Sequence, residues 1–92
     1  MHLNELARAM RTAGEERRLH ILCHLMKSGQ LCVSEIARDL HMSVATTSHH
    51  LQVMAKDELV IPIRKGKYIC YKLPRTALMS GLKKFICTQR KI

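Results

Sequence analysis

Tryptophan is absent from this sequence, and the other aromatics amount to Tyr68, Tyr71 and Phe85. The core must therefore be aliphatic, with methionine as its adaptable filler, an inventory that suits packed helices. No apolar run approaches the ~18 residues of a membrane span. The amphipathic start MHLNELARAM does not have the form of a cleavable signal, so no membrane partner and a cytoplasmic location are expected. The cysteines Cys23, Cys32, Cys70 and Cys87 include no CxxC pair, which argues against a structural zinc site or a secreted disulfide scaffold and leaves free thiols as the expectation. Paired carboxylates, a phosphate-cradling glycine loop and a nucleophile with its acid and base are also missing, so neither an enzyme nor a cofactor is expected.

Acids are scarce too. Sixteen Lys and Arg face seven Asp and Glu, a net charge of +9, which points to a polyanion as partner or, more plainly, to a solubilising surface. No repeat, low-complexity tract or linker divides residues 1–92, which are read as one domain. A chain of this size buries only about 60 to 65% of its unfolded surface, so a partner subunit would help it.

What is present is a helical period that changes once. Leu3, Leu6, Ala7, Met10 and Ala13 predict a first helix to about Thr12, stopped by Gly14. Glu15 to Lys27 predicts a second, with acids in its first turn, Lys27 near its end and a buried stripe of Leu19, Leu22, Leu25 and Met26. After a short extended piece at Leu31-Cys32, the segment SEIARDLHMSVATTSHHLQVMAKD reads as two short helices joined by a tight turn. Ile36, Ala37 and Leu40 line the first, with Ser34 as a possible cap. Val44, Thr47, Leu51 and Met54 line the second at i, i+3, i+7 and i+10, leaving Ala45, Thr46, His49, Gln52 and Lys56 facing outward. That outward face holds small, hydrogen-bonding side chains, which suits insertion into a DNA groove.

From Leu59 the pattern alternates: Leu59, Ile61 and Ile63, a turn at Lys65-Gly66, then Ile69, Tyr71 and Leu73. This predicts a hairpin whose RKGK tip is either a wing laid along a phosphate backbone or an edge blunted by lysines. Cys70 alternates outward on it. Pro74 closes the hairpin and would open a last helix with Leu78, Met79, Leu82, Phe85 and Ile86 on one face. The cover for that face is the first helix with a second copy, in a two-fold homodimer, or the monomer's own core. The fold class is mainly α with a β-hairpin wing, a winged helix-turn-helix.

With these elements in order, the chain resembles the ArsR family of small winged-helix repressors, through LCVSEIARDL, the SHHL of Ser48 to Leu51 and the hairpin ending GKYICYKL. The resemblance implies a homodimer that binds a double-stranded operator palindrome and releases it when an effector arrives. By position it implies Ser43, Thr46, Thr47, Ser48, His49, His50 and Gln52 in or beside the major groove, and Arg64, Lys65 and Lys67 on the backbone. His41 stands where such motifs often carry glycine, at a cost of about 1 kcal/mol. His49 and His50, about 100° apart on a helix, cannot share a metal; one is expected to pack locally while the other faces nucleic acid.

Four effector sites of such repressors can be tried on the sequence. A metal pair on the last helix is excluded, since Pro74 to Ile92 holds no His, Asp or Glu. The soft-metal CVC signature is reduced to Cys32-Val33-Ser34, so Cys32 would need another cysteine. The motif's second helix holds no cysteine. The resemblance to sulfide- and persulfide-responsive repressors implies a dithiol of Cys23, within RLHILCHL, and Cys87 near the last helix end, sensing a thiol-reactive small molecule. A rival set, His20, Cys23 and His24, shares one helix face and could take zinc or copper. A protein-interaction winged helix is the alternative from another class.

Overall fold

The computed structural model describes residues 1–89; residues 90–92, part of the range read as one domain, lie outside it. The elements are α1 (Leu3–Ala13), α2 (Glu16–Ser28), β1 (Gln30–Cys32), α3 (Val33–Asp39), α4 (Val44–Lys56), β2 (Ile61–Lys65), β3 (Tyr68–Lys72) and α5 (Ala77–Cys87). Ile21, Leu22 and Leu25 of α2 meet Ile36 of α3 and Leu51 and Met54 of α4 in one aliphatic core, which Tyr71 and Met79 close.

The caps explain the boundaries. Glu15 accepts from the Arg18 backbone N–H to start α2, and Gly29 at φ 86° ends it. Burial works against Glu15's charge, but backbone donors at Arg17 and Arg18 and the charges of His50 and Arg18 outweigh it, so its carboxyl titrates below the ordinary range. The N-cap of α3 is Cys32, not Ser34, and Glu35 Oε1 reaches back to accept from the Cys32 N–H at 2.8 Å.

Both helices of the central motif end in the same hydrogen-bonded turn. His41 N–H reaches Arg38 O and Met42 N–H reaches Ala37 O after α3; Glu58 N–H reaches Ala55 O and Leu59 N–H reaches Met54 O after α4. These are paired Schellman bonds, and they require a left-handed residue at the closing position. His41 at φ 55° and Glu58 at φ 61° fill it in place of glycine.

The hairpin differs from expectation by one strand. The piece at Leu31-Cys32 pairs with β3, giving a three-stranded antiparallel sheet in the order β1-β3-β2. Sequence inspection found that piece but gave it no partner. With β3 in the middle, Cys70 and Tyr71 are both buried, so Cys70 does not face outward as alternation implied. Gly66 takes φ 63° at the first of two loop residues, the place where a type II′ hairpin turn needs glycine. Pro62 sits in the edge strand β2.

The last helix starts later than Pro74. Thr76 caps it, its Oγ1 accepting from Met79 N–H at 3.1 Å. Thr76→Ala should lower unfolding stability by about 1 kcal/mol, read as a shifted urea midpoint with an unchanged slope. A change under a quarter of that would mean the cap does not hold α5.

Much of the terminal helices' apolar surface finds no cover among the described residues. Leu3 is 79% exposed, Met10 58% and Phe85 66%, while α1 buries Ala9, Thr12 and Ala13. The expected α1 stripe thus faces partly away from its own core.

Candidate nucleic-acid interface

Ser43 starts α4, its Oγ accepting from Thr46 N–H at 3.0 Å. Beyond it, His49 and Gln52 are exposed and Thr46 and Ser48 half-buried. Gln52 Nε2 donates to Ser48 Oγ at 3.2 Å, which keeps the amide along the helix surface. The face carries no acid, because α4 contains none, and no acidic residue follows Glu58 anywhere in the sequence. At the hairpin tip Arg64, Lys65 and Lys67 are all exposed, with Lys67 Nζ lying 5.8 Å from the Tyr68 ring centroid.

Two residues expected at the groove do not lie on this surface. Thr47 is 0% exposed and its Oγ1 donates to Ser43 O at 2.8 Å, so it belongs to the core stripe that its spacing predicted. His50 turns toward α2, where its Nδ1 accepts from Arg18 Nε at 3.2 Å. It is the histidine that packs locally, and His49 is the one left to solvent. Sequence reasoning missed Val44, which its repeat assigned to the core and which is 56% exposed at the first position of α4. The signal was its place at the helix end, where a stripe can overhang its neighbour.

The cysteines divide into two pairs. Cys32 and Cys70, cross-strand partners on β1 and β3, form a disulfide, contrary to the expectation of free thiols throughout. Strand pairing brings them together, and nothing in their spacing of 38 residues announces it. Cys23 on α2 and Cys87 at the end of α5 are free, half-buried and exposed respectively. Burial pushes the Cys23 thiol up, Lys27 opposes this, and an ionised Cys87 would add to the upward push.

The rival histidine set does not assemble. His24 Nε2 pairs with Asp39 at 2.7 Å, holding the carboxyl of Asp39 below its usual range with help from Arg38. His20 stays exposed, and among the described residues no group of three His, Cys, Asp or Glu could hold a metal ion.

Residues 15–61, from the start of α2 to the first residue of β2, match the family described as bacterial regulatory protein, arsR family. The chain belongs to the arsR family. The cadmium resistance transcriptional regulatory protein CadC of Listeria innocua is 36% identical over 66 residues, 72% of this chain and 56% of the relative. This arsR-family chain therefore spans just over half the length of that curated relative. Among solved structures, the homodimeric winged helix-turn-helix DNA-binding domain of a possible ArsR-family regulator from Mycobacterium bovis superposes with a TM-score of 0.81. It is 28% identical and is matched over 94% of this chain and 78% of that one. The transcriptional repressor PagR of Bacillus anthracis gives a TM-score of 0.80 at 27% identity, over 91% and 94% of the two chains. The family is one of regulatory proteins rather than enzymes, and no helix described is long and apolar enough to cross a membrane.

Proposed function

We propose that this arsR-family chain is a transcriptional repressor that binds a palindromic operator as a two-fold dimer and is released by a thiol-reactive signal. The observation that carries the reading is the exposed, acid-free face of α4 together with a hairpin tip that carries three exposed cations. Ser43, Thr46, Ser48, His49 and Gln52 offer donors and acceptors to base edges, and Val44 offers an apolar contact to a thymine methyl. Arg64, Lys65 and Lys67 neutralise phosphates and set the register without reading sequence. Leu3, Met10 and Phe85 supply apolar surface for the second copy, which the M. bovis domain, itself homodimeric, makes the natural partner.

The thiol pair is Cys23 and Cys87. A thiolate on one attacks a polysulfide sulfur, forming a persulfide and expelling the shortened polysulfide. The other thiolate then attacks the sulfur attached to the first cysteine and hydrosulfide leaves, so that a disulfide links α2 to α5. Tying α2 to α5, which carries part of the apolar surface offered to the second copy, would then shift that interface and with it the spacing of the two α4 helices.

A second reading is favoured by one observation. Cys70 is the additional cysteine that Cys32 lacked: reduction of their disulfide presents two thiols side by side, a donor set for a soft metal ion. The cadmium-regulator relative is consistent with it.

A salt titration of binding to a duplex selected from a random library tests the main reading. The slope of log affinity against log salt should be about −4 or steeper, since each neutralised phosphate contributes about 0.9. A slope near zero would mean an apolar protein interface and would refute DNA binding.

A further inference from the structure

Behind the exposed face of α4 lies a polar junction that the reading of DNA does not itself use. Arg18 on α2 donates from Nε to His50 Nδ1 at 3.2 Å and from Nη1 to Thr12 O, in the last turn of α1, at 3.3 Å. Glu15 Oε2 stands 3.7 Å from Arg18 Nε and 3.8 Å from His50 Nδ1. At the far end of α4, Thr12 Oγ1 donates to Asp57. Residues of α1 and α2 thus hold α4 near its middle and just beyond its end by polar contacts.

Arginine has donors only, so the Nδ1 that accepts from it must be unprotonated, and the His50 proton must sit on Nε2. From this geometry we infer that His50 is a positioning residue for DNA binding: neutral, it fixes α4 to α2 through Arg18, and a proton on Nδ1 breaks that bond. The inference rests on the DNA-binding reading above. A protonated Nδ1 can no longer accept, and among the described residues Glu15 is the anion that faces it, the other charged or titratable groups being Arg17 and Arg18 on α2 and His49 on its own helix. The partner exchange leaves Arg18 without its bond to α4. Burial lowers the His50 pKa foremost, and the arginines add to it against the pull of Glu15.

The sign follows. A folded-state pKa below the unfolded one favours the arrangement above the ordinary imidazole range, and that contribution is lost as pH falls through the depressed value. The junction is therefore intact at neutral pH and opens as pH falls through the depressed His50 value.

The test compares wild type, His50→Asn and His50→Ala on one selected duplex at constant salt, from pH 8 down to the pH at which the ring resonances of His50 show it protonated. Asparagine carries its amide oxygen on Cγ, where Nδ1 stands in histidine, so it can accept from Arg18 but takes no proton. At pH 8, His50→Asn should bind closer to wild type than His50→Ala, which should bind about fivefold more weakly, the worth of one net hydrogen bond. At the acid end, wild type should fall below His50→Asn by up to about fivefold, a ratio in which titration of the other histidines cancels. A wild-type to His50→Asn ratio that stays constant through the His50 titration overturns the inference. An NMR readout without DNA separates this from failure of the DNA reading: the Arg18 Nε–H resonance should shift with the His50 titration. A resonance indifferent to His50 protonation also overturns it, whatever the DNA result.

Discussion

Inorganic polysulfide should weaken binding of the wild-type protein to its selected duplex by about a hundredfold, within the range that coupled sites reach. Cys23→Ser and Cys87→Ser should each bind as wild type does and fail to respond. The magnitude rests on geometry more than on chemistry. A dimer reading a palindrome must place two α4 helices in successive major grooves about 34 to 36 Å apart, so a shift of a few ångströms at the interface costs both half-sites their fit. The chemistry requires that the two free thiols meet, Cys23 on α2 and Cys87 at the end of α5. Mass spectrometry after exposure should find the Cys23–Cys87 link, two hydrogens lighter than the thiols. Release that persists in both single variants would remove this pair. If arsenite or cadmium then released the DNA in the same variants, only in reduced protein and only with Cys32 and Cys70 intact, the soft-metal reading would take its place.

The second large effect separates holding from reading. Replacing Lys65 and Lys67 by Gln should weaken binding roughly tenfold on selected and random duplexes alike and lower the salt slope by about two. Thr46→Ala or His49→Ala should leave the slope near its wild-type value and change the preferred bases, with losses of roughly tenfold on the selected duplex. Neither group should affect folding, because the lysines and His49 are exposed and the cap bond at Thr46 is donated by its backbone N–H, which alanine keeps. Parallel losses on both kinds of duplex from both kinds of substitution would dissolve the distinction.

The helices were legible because periodicity reports directly on which side of an element is buried. The treatment of Thr47 makes the point: its spacing placed it inside, while family position placed it at the groove, and the structure follows the spacing. Periodicity does not report where along a helix the neighbour ends, which is why Val44 was assigned to the core and is exposed. Nor does it report pairing between distant segments. The partnership of β1 with β3 depends on a register that only the folded chain defines, and the burial of Cys70 and its bond to Cys32 both follow from it. The left-handed turn at His41 was legible from the resemblance, as a position where such motifs often carry glycine, and its twin at Glu58 was not, since nothing local marks glutamate for that conformation. The inward turn of His50 lay between these cases. One histidine of the adjacent pair had to pack locally, and the identity of the packed one depends on Arg18, 32 residues away.

The sheet has two free margins, and each resists recruitment. One is β1, a strand of only three residues; the other is β2, which carries Pro62 and ends at Lys65. A short margin offers little template, and a proline withholds a donor where another ribbon would seek one. Copies of this chain crowded together would therefore meet at interrupted borders, and would not polymerise by strand addition.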